Sequence, residues 1–309
     1  MNLIKPKFWG KKNNLISLLL FPLSFLIQIL IKLIKSFYFK KTFKIPVICI
    51  GNIYVGGTGK TPLSLLIAKE LLKLKKRPAI IRKYYKEHID EYNLVKNDLD
   101  CLFLAKNRST AIENAEKSGY QLAILDDGFQ DFSIVKNLNI LCFNSKQLIG
   151  NGMTMPSGPL RENLNSIKKS KIIVINGKKS DSFEKKISEI SSKTEIFYSN
   201  YILKNLNDFK NIKFFAFAGI GNPENFFDLL SENKIDVIRK ISFPDHYAYS
   251  KSEIKKLIDE SYTNNAELLT TEKDFFRIKD MGYKKIKFAK VDLVIKNKKK
   301  LIDLILNCK

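Results

Sequence analysis

The sequence predicts an α/β chain: a mostly parallel sheet of the P-loop NTPase type with helices on both faces, a smaller C-terminal α/β domain and an N-terminal membrane-associated helix. Three observations predict this. Short apolar, β-branched runs alternate with segments of helical spacing, the order that gives parallel strands joined by crossover helices. The glycine-rich stretch GNIYVGGTGKT, Gly51 to Thr61, lies between one such strand and one such helix. A second apolar strand ends in a pair of aspartates, Asp126 and Asp127.

Length and composition bound the reading. A chain of 309 residues with 45% hydrophobic content can build one large core or two ordinary ones. The four cysteines, Cys49, Cys101, Cys142 and Cys308, are scattered without a CxxC. That argues against a disulfide framework or a zinc site and suits a reducing compartment. Only two histidines occur, His88 and His246, which excludes a histidine-rich metal centre. The net charge of +23 suits nucleic acid, an anionic membrane surface or an anionic substrate. Part of it is compositional, since the chain is rich in Lys, Ile and Asn. No aromatic RNA-binding signature accompanies the lysines, so no nucleic-acid partner is expected.

Residues 1–45 carry nine lysines and no carboxylate, and nineteen uncharged, mainly apolar residues separate Lys12 from Lys32. Ser17, Ser24, Gln28, Lys32 and Lys35 fall on one narrow polar stripe of an otherwise greasy helix, at about 100° per residue. Such a helix can lie in the membrane interface with its lysines at anionic headgroups, and Pro22 would kink it. A transmembrane span and a buried soluble helix are the other two readings of the same segment.

The first core strand is expected over Phe43–Gly51. The glycines that follow let successive backbone N–H groups turn inward towards an anion, and the helix from Pro62 adds the positive end of its dipole. Tyr54, Val55, Gly56, Gly57, Thr58, Gly59, Lys60 and Thr61 are the expected nucleotide-binding residues, with Tyr54 where GxxxxGK[ST] has its first glycine. Lys60 would reach the β- and γ-phosphates, and Thr61 would offer its hydroxyl to Mg²⁺. Pro-Ala-Ile-Ile after Arg77 is a second strand, Lys83–Asn97 reads as polar and irregular, and Thr110–Ser118 as a helix. The strand Tyr120–Leu125 runs into Asp126-Asp127-Gly-Phe-Gln130, a Walker B arrangement in which Asp126 and Asp127 would hold the metal. After a strand over Asn139–Phe143, the loop from Pro156 to Glu162 (PSGPLRE) presents Arg161, which could clamp phosphate bidentately. Lys171–Asn176 is a further strand. The lysine- and serine-rich residues 177–210 hold the domain boundary, giving an N-terminal helix at 1–41, a P-loop domain at 42–205 and a C-terminal domain at 206–309.

In that last part Phe214–Ala218 and Ile235–Ile241 read as strands, and Ser250–Tyr262 as an amphipathic helix opened by a capping signal. Ala266–Thr271 is a strand running into a charged turn, Ile286–Ile295 the last strand, and 297–308 a closing helix.

Taken together and in order, VGGTGKTP, DDGFQ, GNG, PSGPLRE, FAGIGNPENFF, FPDH and TTEKD resemble the tetraacyldisaccharide 4′-kinase family, the lipid A 4′-kinases of Gram-negative bacteria. The resemblance implies ATP- and Mg²⁺-dependent transfer of the γ-phosphate to the 4′-hydroxyl of a tetraacyldisaccharide 1-phosphate. It also implies an enzyme on the cytoplasmic face of the inner membrane, with an anionic acylated disaccharide lipid as substrate; a monomer is expected. The family's catalytic aspartate, in a GDE element, maps onto Asp90 in His88-Ile-Asp90-Glu91, with Ile89 in the glycine position and Glu91 as the next candidate. Its partner histidine maps onto His246 in the FPDH element.

A sugar hydroxyl is a poor nucleophile, so a carboxylate base within hydrogen-bond reach would take its proton and a histidine would orient or share it. Asp90, His246, Lys60 and Arg161 are therefore the expected catalytic set, with Lys60, Arg161 and Mg²⁺ stabilising the transferring phosphoryl group. Asp90 and His246 would act together only across a cleft between the two domains. One rival reading is a P-loop ATPase or GTPase that drives a membrane partner. Another is a non-enzymatic membrane scaffold, which the intact Gly59-Lys60-Thr61 and Asp126-Asp127 argue against.

Overall fold

The computed structural model describes residues 6–86, 89–283 and 285–308, and within them not the side chains of Asp90, Glu91 and Leu94. A 22-residue helix, α1 (Leu15–Ser36), opens the chain and runs without interruption through Pro22. β1 (Val47–Gly51) and α2 (Lys60–Lys73) flank the glycine-rich loop, and β2 (Pro78–Lys83) follows. The stretch read as irregular is a helix, α3 (Ile89–Asp98), whose Tyr92 and Val95 are buried at helical spacing. Next come β3 (Leu102–Ala105), α4 (Arg108–Lys117), β4 (Leu122–Asp126), β5 (Leu138–Asn144) and β6 (Ile172–Asn176). α5 (Asp181–Ile190), β7 (Glu195–Leu203), β8 (Lys213–Ala218), α6 (Pro223–Glu232) and β9 (Asp236–Ser242) continue the alternation. α7 (Lys251–Thr263) is opened by a capping box in which Ser250 and Glu253 satisfy each other's backbone N–H.

Two later stretches depart from expectation, while the strand Glu267–Thr271 and the closing helix fall where expected. β10 (Glu267–Thr271) leads into a helix, α8 (Glu272–Ile278), because the Thr271 side chain accepts from Asp274 N and caps it. The stretch read as one last strand is two, β11 (Ile286–Ala289) and β12 (Val291–Ile295), and they belong to different sheets. α9 (Lys298–Leu306) closes the chain.

Eight strands form one sheet in the order β12-β7-β6-β5-β1-β4-β2-β3, and four form another in the order β11-β10-β8-β9. The pairs from β7 to β3 and all pairs of the smaller sheet are parallel. β1, β4 and β6 are buried on both faces, as strands covered by helices must be. Only β12 reverses: Lys296 N meets Tyr198 O while Lys204 N meets Lys290 O, so it runs antiparallel to β7.

The chain divides into two compact units whose borders differ from the sequence expectation of 42–205 and 206–309. Among the described residues the smaller holds Tyr85–Asp100 and Tyr201–Leu293; the larger holds 6–84, Cys101–Asn200 and 294–308. α3 joins the smaller unit by packing on α8. α9 returns to the larger unit, where Leu301, Ile302 and Ile305 are buried and Lys298 pairs with Glu70 of α2 at 2.8 Å. Distant segments can share a core once their apolar faces match, and spacing along the chain carries no record of it.

Candidate active site

β1 sits at the middle of the larger sheet between β5 and β4, where the direction of chain progression reverses. Its C-terminal end turns into the glycine-rich loop. Gly56 and Gly59 take φ of 102° and 88°, left-handed values that side chains resist, and Gly59 caps α2. Asn52 is fully buried and donates from Nδ2 to Gly56 O (3.2 Å) and Thr58 Oγ1 (3.0 Å), holding the curl from inside. At Gly51 a Cβ would overlap the Cβ of Phe129, so glycine is required where β1 meets the DDGFQ turn.

β4 pairs with β1 so that Asp126 lies opposite Ile50. This register brings the Thr61 hydroxyl to 2.8 Å from Asp126 Oδ2. Both are hard oxygen donors of the kind Mg²⁺ takes. Asp127, at φ 58°, turns the other way: Lys60 Nζ stands 3.6 Å from its Oδ1 and Arg161 NH1 3.2 Å. Arg108 donates to Asp127 O at 2.7 Å. Burial alone would raise the Asp127 pKa, but Lys60, Arg161 and Arg108 outweigh it and bring the carboxyl to about 2. Arg161 is delivered by backbone pairing of its loop with the phosphate loop, through Arg161 N to Ile53 O (2.7 Å) and Val55 N to Pro159 O (3.0 Å).

In the smaller unit, His246 also sits at positive φ, 57°, with its N–H donating to Gly219 O at 3.2 Å. Non-glycine residues held there are uncommon and cluster at functional sites. The ring lies between two cations, Lys273 Nζ 3.2 Å from Nε2 and Arg277 NH2 3.3 Å from Nδ1. A neutral imidazole has one lone pair, so only one of them can donate to it at a time. Beneath lies Asp274, fully buried, which accepts from Gly219 N (3.0 Å), Thr271 Oγ1 (2.7 Å), Tyr249 Oη (3.1 Å) and Arg277 NH1 (2.7 Å). Burial and the neighbouring Asp274 charge push the Tyr249 phenol far above its usual range, which keeps it a donor. Gly219 is close-packed here, since a Cβ would come within 2.7 Å of Tyr249 Oη. One carboxylate thus ties TTEKD to the FAGIGNP segment and to Tyr249, three residues beyond FPDH.

Asp90 is the second residue of α3, so its backbone belongs to the same compact unit as His246. The sequence expectation set the two in different domains. The side chains of Asp90 and Glu91 lie outside the described residues, as does His88. Sequence reasoning gave no role to Asn52, Arg108, Gln130 or Asp274; the last two lie inside DDGFQ and TTEKD, but nothing in those motifs marks them as hydrogen-bonding centres. It also missed Arg82, whose Nε is 3.5 Å from Asp126 Oδ2. Asn233-Lys234-Ile235-Asp236 spells the NKxD of guanine-specific loops, yet it forms the turn entering β9, at a strand's N-terminal end. Ligands of open α/β sheets meet strand carboxyl ends, so this tetrad does not argue for GTP.

Fold and phosphate loop together define a P-loop protein of the nucleoside-triphosphate-using class. The model of the family described as tetraacyldisaccharide-1-P 4′-kinase matches residues 16–101 and 90–308. The tetraacyldisaccharide 4′-kinase of Pelagibacter ubique is 38% identical over 305 residues, covering 97% of this chain and 96% of that one. The Rickettsia bellii tetraacyldisaccharide 4′-kinase is 32% identical, with 91% of each chain covered. Among solved structures, LpxK from Aquifex aeolicus in complex with ATP superposes with a TM-score of 0.70 at 26% identity, covering 95% of this chain and 99% of that one. The chain belongs to the tetraacyldisaccharide 4′-kinase family.

Proposed function

We propose that this chain transfers the γ-phosphate of ATP to the 4′-hydroxyl of a tetraacyldisaccharide 1-phosphate, a step of lipid A biosynthesis. The observation that carries the reading is the approach of Lys60, from the phosphate loop, and Arg161, from PSGPLRE, to the same carboxylate of Asp127 in a chain of this family. Two cations with one focus suit a group that carries several negative oxygens through its transition state. The phosphate oxygens would share Lys60 and Arg161 with Asp127, and the loop amides would hold the rest of the triphosphate. Thr61 and Asp126 would hold Mg²⁺, with Asp127 beside them; a divalent cation held there would supply positive charge against the transferring phosphoryl group. Asp90 takes the proton of the acceptor hydroxyl in this reading, and His246 orients or shares it. Because the phosphate loop, both aspartates and Arg161 come from one chain, the acting species is taken to be a monomer.

α1 supports a place at the cytoplasmic face of the inner membrane. It is the one helix among the described residues long and apolar enough to cross a membrane, with a mean hydropathy of 2.2 and only 11% of its apolar window buried. The orientation of its polar stripe differs from expectation. Ser17 and Ser24 are buried against the 151–157 loop, and Lys35 meets Glu162 rather than standing free for headgroups. The greasy face, including Leu19, Phe25 and Leu30, points outward. A helix bound to protein along one side and apolar along the other suits lying in the interface, where an acylated substrate would be met.

Incubating the protein with γ-labelled ATP and disaccharide 1-phosphate lipid tests the reading. Label in the lipid is expected. ATP hydrolysis that ignores the lipid would instead indicate the rival ATPase. Deleting residues 1–39 should release the protein from membranes; continued pelleting would assign the anchoring to another surface.

A further inference from the structure

α1 and the phosphate loop grip the same segment from opposite sides. On the helix side, Ser17 Oγ accepts from Asn151 Nδ2 (3.0 Å), and Ser24 Oγ donates to Ser157 Oγ (2.8 Å) and accepts from Ser157 N (2.9 Å). On the nucleotide side, the backbone around Pro159 and Arg161 pairs with Ile53 and Val55. At the end of this strap, Lys35 Nζ lies 3.2 Å from Glu162 Oε2 and 3.9 Å from the centroid of the Phe132 ring. Glu162 is almost fully buried; its Oε1 accepts from Gln130 Nε2 at 3.3 Å. Gln130 Oε1 in turn accepts from Arg161 NH1 at 3.3 Å, and the same nitrogen contacts Asp127. Every link lies in the larger unit.

We propose that Lys35, one of two lysines on α1, is a positioning residue for phosphoryl transfer: it fixes Glu162, which through Gln130 sets the Arg161 guanidinium beside Asp127. The inference rests on the kinase reading above for the role of Arg161. The physical reason is the geometry of Glu162. Two lysines hold its Oε2 from different sides, Lys35 at 3.2 Å and the more exposed Lys169 at 3.1 Å. Without Lys35 the carboxylate keeps a partner, so the fold survives, but it is drawn towards Lys169 and away from its present contact with Gln130. Gln130 Nε2 then keeps its 3.0 Å bond to Asn52 O but loses the one to Glu162, so the amide turns about that single hold, the Oε1 acceptor beside Arg161 shifts, and Asp127 stays as the guanidinium's other acceptor. An arginine clamp works by its fixed planar fork, so a small displacement weakens it out of proportion. Seating of the membrane-facing helix would thereby reach the nucleotide site through four side chains.

The test compares full-length Lys35→Met and Lys35→Arg with the wild type, in detergent and on anionic phospholipid vesicles. The measurements are ATP affinity, kcat and KM for the lipid acceptor, vesicle pelleting and thermal melting. For Lys35→Met, ATP affinity and kcat should each fall ~10-fold, the low end of what loosening a supporting shell costs. KM for lipid and pelleting should stay unchanged, and Lys35→Arg should restore most of the loss. Gln130→Leu should reproduce the defect, and the double variant should be no worse than Gln130→Leu alone, since both break one chain. Wild-type ATP affinity and kcat in Lys35→Met would overturn the proposal. So would a rise in KM for lipid with kcat intact, which makes Lys35 a lipid contact, or losses that multiply in the double variant. If Lys35→Met unfolds, Lys35→Arg and Gln130→Leu decide the question by the same measurements: a Gln130→Leu protein with wild-type ATP affinity and kcat overturns the proposal. ATP affinity needs no acceptor, so a wild type that never labels lipid would sink the kinase reading and still leave this one open to refutation.

Discussion

Replacing Asp274 by alanine should destabilise the smaller unit by several kcal/mol and disable the His246 turn. Gly219 N, Thr271 Oγ1 and Tyr249 Oη each lose an acceptor, worth ~1 kcal/mol apiece, and the Arg277 contact, being charge-assisted, is worth ~1.5–3 kcal/mol. These terms share one group and do not simply add. Breaking a buried charge pair by removing one partner costs ~3–5 kcal/mol, and that is the expected loss, a large part of a domain's usual margin. Arg277, only 11% exposed, would keep Gly219 O as a partner but lose the buried carboxylate at 2.7 Å. Asp274→Asn keeps the shape and one acceptor and should cost roughly 1–2 kcal/mol. Urea unfolding followed by far-UV circular dichroism measures both variants. Trp9, the single tryptophan, hydrogen-bonds to Pro156 O in the larger unit, so its fluorescence follows that unit and its midpoint should shift less. A loss under about 1 kcal/mol for Asp274→Ala, no more than the typical point substitution, would refute the claim that this carboxylate organises the three segments.

Lys60→Ala should abolish lipid phosphorylation in a protein that still melts cooperatively; normal turnover would remove Lys60 from the phosphate site. Asp90→Ala should lower kcat by ~10²–10⁴ with ATP affinity little changed, His246→Ala should do less, and the double variant should cost less than their product. Multiplicative losses would mean the two act on different steps. Asp127 predicts an acid limb. Its folded pKa, about 2, lies below the ordinary carboxyl value of ~3.9, so the stability it contributes is present above ~3.9 and is lost as pH falls through about 2. The stability difference between wild type and Asp127→Asn in urea titrations should therefore shift against the wild type across that window; a difference independent of pH would contradict the assignment.

Much of the nucleotide half of the site is readable as local pattern. Glycines at 56 and 59, a lysine and a hydroxyl opening a helix, and an apolar strand ending in Asp126-Asp127 state their geometry within a few residues, because turns and helix starts are set by local backbone chemistry. The same holds for the Ser250–Glu253 capping box and for the polar stripe of α1. The direction in which that stripe faces is another matter. Serines and lysines at helical spacing read equally well towards headgroups or towards protein, and the choice of protein follows from Asn151, Ser157 and Glu162, more than a hundred positions away.

By itself, then, the sequence determined the α/β alternation, the phosphate loop, the Walker-type aspartates and the presence of a long apolar helix. Each is a matter of residue type and short-range spacing. Only the tertiary structure decided that α3, with the backbone of Asp90, belongs to the same unit as His246, that β11 and β12 part into two sheets, and that α9 returns to α2. It alone decided that Asp274 and Asn52 are buried centres of hydrogen bonding. A polar residue's role depends on which donors the fold carries to it. Those donors come from segments brought together by burying apolar faces, and burial has no direction along the chain.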